Sequence, residues 1–257
     1  MIDFEELDSI VQYGRGVAAD IIGEPYDIYR LSDGSDGRTP SSGSIINTEN
    51  KIYSDLRIRM MRSNAAIAEE NTNIYDMIFA GMCDAGVLKV GDVACRIHPY
   101  RNDYEMFTVA DLRPLSYNVF VRTEIQASLS VSWGSGDSEQ LLGYVKYQGA
   151  GKQNERAIIL RDGYYYIGDP DDADFSPAVV PLGIQPYKRL GPTPEIKQPT
   201  TTHRSELFIY VPILNGLYLE PGYIISDQNG NRYQIQNVTS FTVGLQGYQL
   251  IAESLFV

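Results

Sequence analysis

Histidine and cysteine are nearly absent from this sequence: its 257 residues hold two of each, His98 and His203, Cys83 and Cys95. A zinc site needs such residues clustered at short spacing, and no Cys-x-x-Cys or close His pair occurs. His98 precedes Pro99 in a turn and His203 follows Pro199 and a run of threonines in a loop, so neither has the companion that a general base requires. A Cys83–Cys95 disulfide is geometrically open, but two buried free thiols fit a chain made in a reducing cytosol. Long apolar runs are missing as well, all falling far short of the ~20 residues that span a bilayer. The opening residues, Met1-Ile2-Asp3-Phe4-Glu5-Glu6, are acidic where a secretion signal is basic. Neither membrane insertion nor export by a cleaved signal is expected. Positive charge is also short: 21 Lys and Arg against 33 Asp and Glu leave a net −12. Such a chain repels nucleic acid and anionic membranes as a whole, so specific nucleic-acid binding is not expected.

What the chain does contain is tyrosine. Nineteen Tyr against eight Phe and one Trp imply many rings half buried at sheet surfaces or interfaces, apolar in body with a wet hydroxyl. Hydrophobic content of 43% and charged content of 21% are those of a folded globular protein. The length exceeds the usual single domain, and either half is long enough to bury a core.

Residues 3–22 read as an amphipathic helix. Phe4, Leu7, Ile10, Val11, Val17, Ala18, Ile21 and Ile22 recur at three- and four-residue steps, and Asp3, Glu5 and Glu6 suit its N-terminus. Gly14 and Gly16 weaken its middle by about 1 kcal/mol each, which suggests close approach by another backbone. Gly23 ends the helix and Pro25 forbids its continuation. Residues 26–31 alternate as a strand, and 32–44 are a polar loop. In 51–60, Ile52, Leu56, Ile58 and Met60 fall on one strand face, with Arg57 and Arg59 on the other. A helical turn at 65–70 is followed by strands at 77–82, 93–97, 104–110 and 118–133, the last the longest alternating run. Residues 134–140 are small and polar, the composition of a linker. Further strands are expected at 157–160, 164–167, 207–211, 223–226, 232–238 and 248–257, with Arg161-Asp162-Gly163 and Asp227-Gln228-Asn229-Gly230-Asn231 as hairpin turns. Residues 168–200, rich in Pro and Asp, read as a long irregular arm. The fold class is therefore mainly β (α+β). An N-terminal helix precedes two small antiparallel β-barrel or sandwich-like domains, 1–133 with the helix and 141–257 with the arm.

One internal echo stands out. Leu88-Lys89-Val90-Gly91-Asp92-Val93 followed by a strand from Tyr104 parallels Leu219-Glu220-Pro221-Gly222-Tyr223-Ile224 followed by a strand from Tyr233. All meanders share turn chemistry, which gives one account; two related small barrels give the other.

Candidate chemistries are weak. Gly149-Ala150-Gly151-Lys152-Gln153 has the look of a phosphate loop, but Lys146 and Gln153 stand where that motif needs Gly and Ser or Thr. The cluster Asp169, Asp171, Asp172 and Asp174 lacks the central Gly of a calcium loop, and Val180 falls where the bidentate Glu belongs. Tyr164-Tyr165-Tyr166 suits cross-strand packing, or stacking on sugars or a partner. No catalytic, cofactor-binding or metal residues are assigned, and no enzyme activity or cofactor is expected.

The run Tyr13 to Arg30 contains Gly23, Pro25, Tyr26, Asp27, Ile28, Tyr29 and Arg30, a G-x-P-Y-D-I-Y-R string behind a small-residue helix. It resembles the N-terminal signature of tailed-bacteriophage virion proteins of the tail, baseplate or head–tail connector type. The Gly91-Asp92 turn, Met106 to Leu115 and Val119 to Val131 follow the same order more loosely. The resemblance implies a structural subunit of the virion, assembled in the host cytoplasm as a homo-oligomeric ring. Its partners would be neighbouring tail, baseplate or neck proteins. The second reading is a receptor- or glycan-binding tail module, which would present an exposed aromatic cleft with convergent polar groups.

Overall fold

The computed structural model describes residues 4–30, 41–42, 44–62, 77–113, 117–131, 140–149, 152–161, 164–168, 178–186, 206–212, 219–227, 229–241 and 246–255. In chain order these form α1 (Phe4–Ile22), β1 (Glu24–Tyr29), β2 (Ser41–Ser42), β3 (Lys51–Arg62), β4 (Ile78–Met82), β5 (Val93–Ile97), β6 (Tyr104–Asp111), β7 (Asn118–Arg122) and β8 (Ile125–Val131). They continue as β9 (Gln140–Gly149), β10 (Lys152–Arg161), β11 (Tyr164–Gly168), β12 (Ala178–Pro186), β13 (Glu206–Val211), β14 (Tyr223–Asp227), β15 (Arg232–Phe241) and β16 (Gly247–Leu255). The protein is mainly β, one N-terminal helix followed by two antiparallel six-stranded barrels.

The first barrel closes in the order β1-β3-β4-β7-β6-β5. The second closes as β8-β12-β13-β16-β15-β14, because β12 pairs with β8 through residues 179–182 and with β13 through 183–186. Position for position around the ring these are the same topology, with β1 matching β8, β3 matching β12, and β4 to β7 matching β13 to β16. The registers agree too. Glu24 opposite Ile58 corresponds to Ile125 opposite Leu182, and Ala94 opposite Phe107 to Ile225 opposite Tyr233. Val109 opposite Phe120 corresponds to Ile235 opposite Ala252, and a register shift follows Val109 and Ile235 alike.

The echo read from the sequence is part of this correspondence. Gly91 and Gly222 both adopt positive φ, 94° and 92°, as the third residue of a turn whose ends are bonded, Asp92 N–H to Lys89 and Tyr223 N–H to Glu220. Each glycine then donates its N–H to the residue before the register shift, Val109 or Ile235. Core volume is traded between equivalent positions: Tyr26 for Ala127, Ala94 for Ile225, Phe120 for Ala252. Such exchanges keep a barrel filled while individual residues change.

Tyr26, Ile28, Leu56, Ile58, Ala94, Phe107, Val109 and Phe120 fill the first barrel. Their neighbours Tyr29, Val93, Cys95 and Met106 belong instead to the cluster that fills the second, with Ala127, Val180, Leu182 and Ile225. Both faces of β5 and β6 are therefore buried, which accounts for their continuous apolar runs. A third cluster, Met77, Ile78, Ala110, Val119, Val121, Phe208 and Tyr210, extends the seam. At Gly183 a Cβ would lie 2.5 Å from the Arg122 carbonyl oxygen, so only glycine fits where β12 turns from β8 to β13.

Four expectations need correction. The strand expected over 118–133 is two strands in two barrels, parted at Thr123-Glu124. Thr123 is buried with its hydroxyl 2.8 Å from that of Thr108. With β8 in the second barrel, the barrels divide there rather than at 134–140; Gln140 opens β9, and 132–139 lie outside the described residues. The arm expected over 168–200 contains β12, a barrel strand in which Val180 and Leu182 are fully buried. Pro181 and Pro186 disguised it, since proline usually marks sheet edges. Ile52 does not share a face with Leu56 and Ile58. Asp55, at φ 58°, interrupts the strand where the register with β1 shifts, and leaves Ile52 exposed. The helical turn expected at 65–70, residue 31 of the expected strand and residues 32–40 and 43 of the polar loop lie outside the described residues.

Candidate functional site

The signature residues hold the fold together. Gly23 donates its N–H to Ala19, and a Cβ on it would stand 2.4 Å from the Ala19 carbonyl oxygen and 3.0 Å from the Ile58 nitrogen. The helix therefore passes into β1 hard against β3. Tyr26 is buried against Phe107, with the Arg96 guanidinium 5.0 Å from its ring centroid. Ile28 and Tyr29 are buried, and Asp27 pairs with Lys51 at 2.7 Å. Arg30 meets the other quoted motif, gripping Asp92 with two bonds, Nε to Oδ1 at 2.8 Å and Nη2 to Oδ2 at 2.7 Å. Asp92 is fully buried and also accepts the Lys89 N–H at 2.8 Å. Burial pushes its carboxyl up from the ordinary range, opposed by Arg30 and by that N–H. A planar guanidinium matched to a carboxylate in this way fixes geometry as well as charge.

The residues with chemical potential do not converge. His98 caps its own turn, its Nδ1 accepting the N–H groups of Tyr100 and Arg101, each at 3.2 Å. His203 and the aspartates between 169 and 174 lie outside the described residues. Cys83 and Cys95 are buried free thiols, both pushed up to about 12 by burial; thiols held so firmly protonated are poor nucleophiles. Gly149 and Lys152 face each other across the β9–β10 hairpin, with 150–151 outside the described residues. A phosphate loop would instead lead into a helix. Tyr164, Tyr165 and Tyr166 pair with Arg161, Leu160 and Ile159 of β10. Among the described residues no group of three His, Cys, Asp or Glu side chains could hold a metal, and no helix is long and apolar enough to cross a membrane.

Clefts formed among the described residues include three. One is lined by Glu24, Pro25, Asp27, Asp55, Arg96 and their neighbours, one by Met77, Arg122, Glu124 and Gln185 among others, and one by Ser44, Gln126, Ser226 and Asp227 among others. Among the described residues, no aromatic ring lines any of these three.

The surface feature that stands out is the outer side of α1. Ala19 is fully buried against the barrel, and a Cβ on Gly16 would come within 3.6 Å of that of Asp84. Arg15 reaches the Arg113 carbonyl oxygen at 3.4 Å and lies over the Tyr117 ring. The helix thus rests on small residues. Gly16 serves this approach, whereas nothing lies within 4 Å of a Cβ on Gly14. At three- and four-residue steps on the opposite side stand Ile10, Tyr13, Val17 and Ile21, exposed by 57, 77, 43 and 77%. An amphipathic helix normally turns its large apolar residues inward; these four face outward. The tip of the β5–β6 hairpin adds a smaller patch with Ile97, Tyr100 and Tyr104 exposed. The sequence pattern marks Ile10, Val17 and Ile21 as apolar, and its one clue to the side that meets the barrel is the small residue Gly16.

Comparison with models of protein families, with curated proteins and with solved structures finds no match to this chain.

Proposed function

We propose that this protein is a non-enzymatic structural subunit of a tailed-phage particle. It forms an oligomeric ring at a tail interface, the tube–baseplate junction or the head–tail neck, and joins neighbouring virion proteins there. The observation that carries the reading is the outward apolar stripe of α1, set on a body of two closed barrels. Contiguous exposed apolar surface of this kind marks a protein-binding site, and the adjacent subunit of the ring is its partner. Among the described residues, buried thiols and a histidine used in its own turn fit a role in binding between protein surfaces. The resemblance of residues 13–30 to virion proteins supplies the setting.

The test substitutes the stripe without touching the barrels. Tyr13→Asp combined with Ile21→Asp should leave stability within about 0.5 kcal/mol per site, as exposed substitutions do. It should abolish assembly seen by sedimentation, and remove the protein from purified particles as measured by mass spectrometry. A wild-type chain that is monomeric at every concentration and has no mass in the particle would sink the proposal.

A further inference from the structure

The two barrels differ at one corresponding corner. In the first, β3 pairs with β1 up to Ile58 and with β4 from Arg59 to Arg62, Arg59 lying opposite Met82. In the second, β12 pairs with β8 up to Leu182 and with β13 from Gly183 to Pro186, Gly183 lying opposite Tyr210. The positions correspond one to one. In the first barrel this corner is covered: α1 lies against β3 and β4, and Gly23 brings its end onto the backbone of Ile58. The chain enters β8 from β7 instead, and the equivalent corner is a cleft of about 350 Å³ between Met77, Arg122, Ile125 and residues 182–185. Where the first barrel has Glu24 and Arg59, this corner has Ile125 and Gly183, so two charged side chains are exchanged for apolar lining.

The lining of the cleft selects its occupant. Met77, Ile125, Leu182 and Ile184 are apolar, whereas Arg122 Nε and Gln185 Oε1 are buried with no hydrogen-bond partner among the described residues. Orphans of this kind are rare in a folded interior, and each costs stability while it stays unpaired. One is a donor and the other an acceptor. A phenol matches the whole set, since its ring is apolar and its hydroxyl both accepts and donates. At the rim, Arg101 and Arg122 share one oxygen of Glu124, at 3.0 and 2.6 Å, an arrangement that favours a further carboxylate. The outer side of α1 carries these groups. Tyr13 is exposed there with Val17 and Ile21 at helical steps beside it, and Asp20 is exposed next to Ile21. Gly16 and Ala19 hold α1 on the first barrel of its own chain, so the helix that meets the cleft belongs to another copy.

We infer that Tyr13 of one copy inserts into the cleft at the β8–β12 corner of the next, so that α1 is held between its own first barrel and its neighbour's second. This rests on the ring reading above and names the surface that the α1 stripe meets. With the side-chain adjustment usual at interfaces, the hydroxyl accepts the Arg122 Nε–H and donates to Gln185 Oε1. Val17 and Ile21 cover the apolar rim, and Asp20 supplies charge complementary to the two arginines. One helix then caps the same corner of both barrels, with its small-residue side in one and its large-residue side in the other. The contact joins two different surfaces, so it repeats from subunit to subunit and closes into a ring where the rotation allows.

Cross-linking and a pair of conservative substitutions test this on the full chain. Tyr13→Cys and Gln185→Cys are made as separate proteins, mixed, joined with a short bismaleimide and sized under denaturing conditions. Native Cys83 and Cys95 are buried and stay silent in the folded chain. Cross-linked dimers are expected from the mixture and from neither variant alone, and a chain carrying both substitutions should give oligomers beyond the dimer. Tyr13→Phe keeps the ring of an exposed side chain and removes only its hydroxyl; it should weaken assembly about fivefold, as the loss of one hydrogen bond does. Gln185→Leu should do the same, and the two together should fall short of the product because they remove one shared bond. A mixture without cross-links, dimers from Tyr13→Cys alone, or a Tyr13→Phe chain that assembles like the wild type would overturn the cleft as the seat of Tyr13 and leave the ring standing. A doubly substituted chain that stops at the dimer would mean a reciprocal pair and overturn the ring. A wild type that is monomeric at every concentration would overturn both.

Discussion

Arg30 and Asp92 stand 62 residues apart, yet each is understandable only through the other. Removing one partner of such a pair leaves an uncompensated charge, at about 3–5 kcal/mol. Asp92→Ala should therefore lower unfolding free energy in urea by about that amount, since Arg30 then keeps its charge and the Lys89 N–H loses its acceptor. Arg30→Met with Asp92→Leu should lose less than the single variant, because apolar replacements of similar size often match a buried pair. Gly23→Ala forces a Cβ onto backbone on both sides, and overpacking of that kind costs about 1–3 kcal/mol; a shift in urea midpoint reads it directly. From the sequence, Gly23 and Arg30 read as parts of one string. It could not say that the string serves packing, because the groups it meets, Ile58 and Asp92, lie far along the chain.

Among the elements, the paired turns make the clearest prediction. Gly91→Ala and Gly222→Ala place a side chain at φ near +90° in equivalent turns, and about 1–2 kcal/mol should be lost at each. Similar losses from both sites, measured by chemical denaturation, are expected of two copies of one architecture; a cost at only one would contradict their equivalence. These turns were legible because glycine chemistry is local. β5 and β13 were read almost to their ends for the same reason, apolar runs bounded by turn residues. β12 was missed because its two prolines speak more loudly than the Ala178-Val179-Val180 and Leu182 pattern beside them. The break at Thr123 was invisible: no glycine or proline marks it, and a threonine suits a strand interior. The Asp55 irregularity was equally hidden, since a positive φ at a residue other than glycine is uncommon. The outward stripe of α1 could be listed from the sequence but not oriented, because periodicity gives a face and not the side that is covered.

At the scale of the whole molecule, burial of ionisable groups sets the response to alkali. Cys83 and Cys95 rise from 9.0 to about 12, and Tyr29 and Tyr233 from 10.0 to about 12. Burial is the leading cause in each case, with Asp227 accepting the Tyr233 hydroxyl proton at 3.0 Å. These groups ionise first in the unfolded chain. Stability is then intact below about pH 9 and falls as the pH rises toward 12, by at most about 1.4 kcal/mol per pH unit for each group. Urea midpoints at pH 8 and pH 11 should differ accordingly, and thiol reagents at pH 8 should react only after denaturation.

The cluster that fills the second barrel also includes Val93, Cys95 and Met106 from the outer wall of the first. The halves of the chain therefore cannot lose structure one at a time without stripping a side of the survivor. Heat should produce one calorimetric peak rather than two, with van't Hoff and calorimetric enthalpies in agreement. A fragment ending at Thr123 should aggregate when expressed alone, because the wall it shares would be left wet. Two barrels of one topology make up this protein, and the wall they share binds the stability of each to the other.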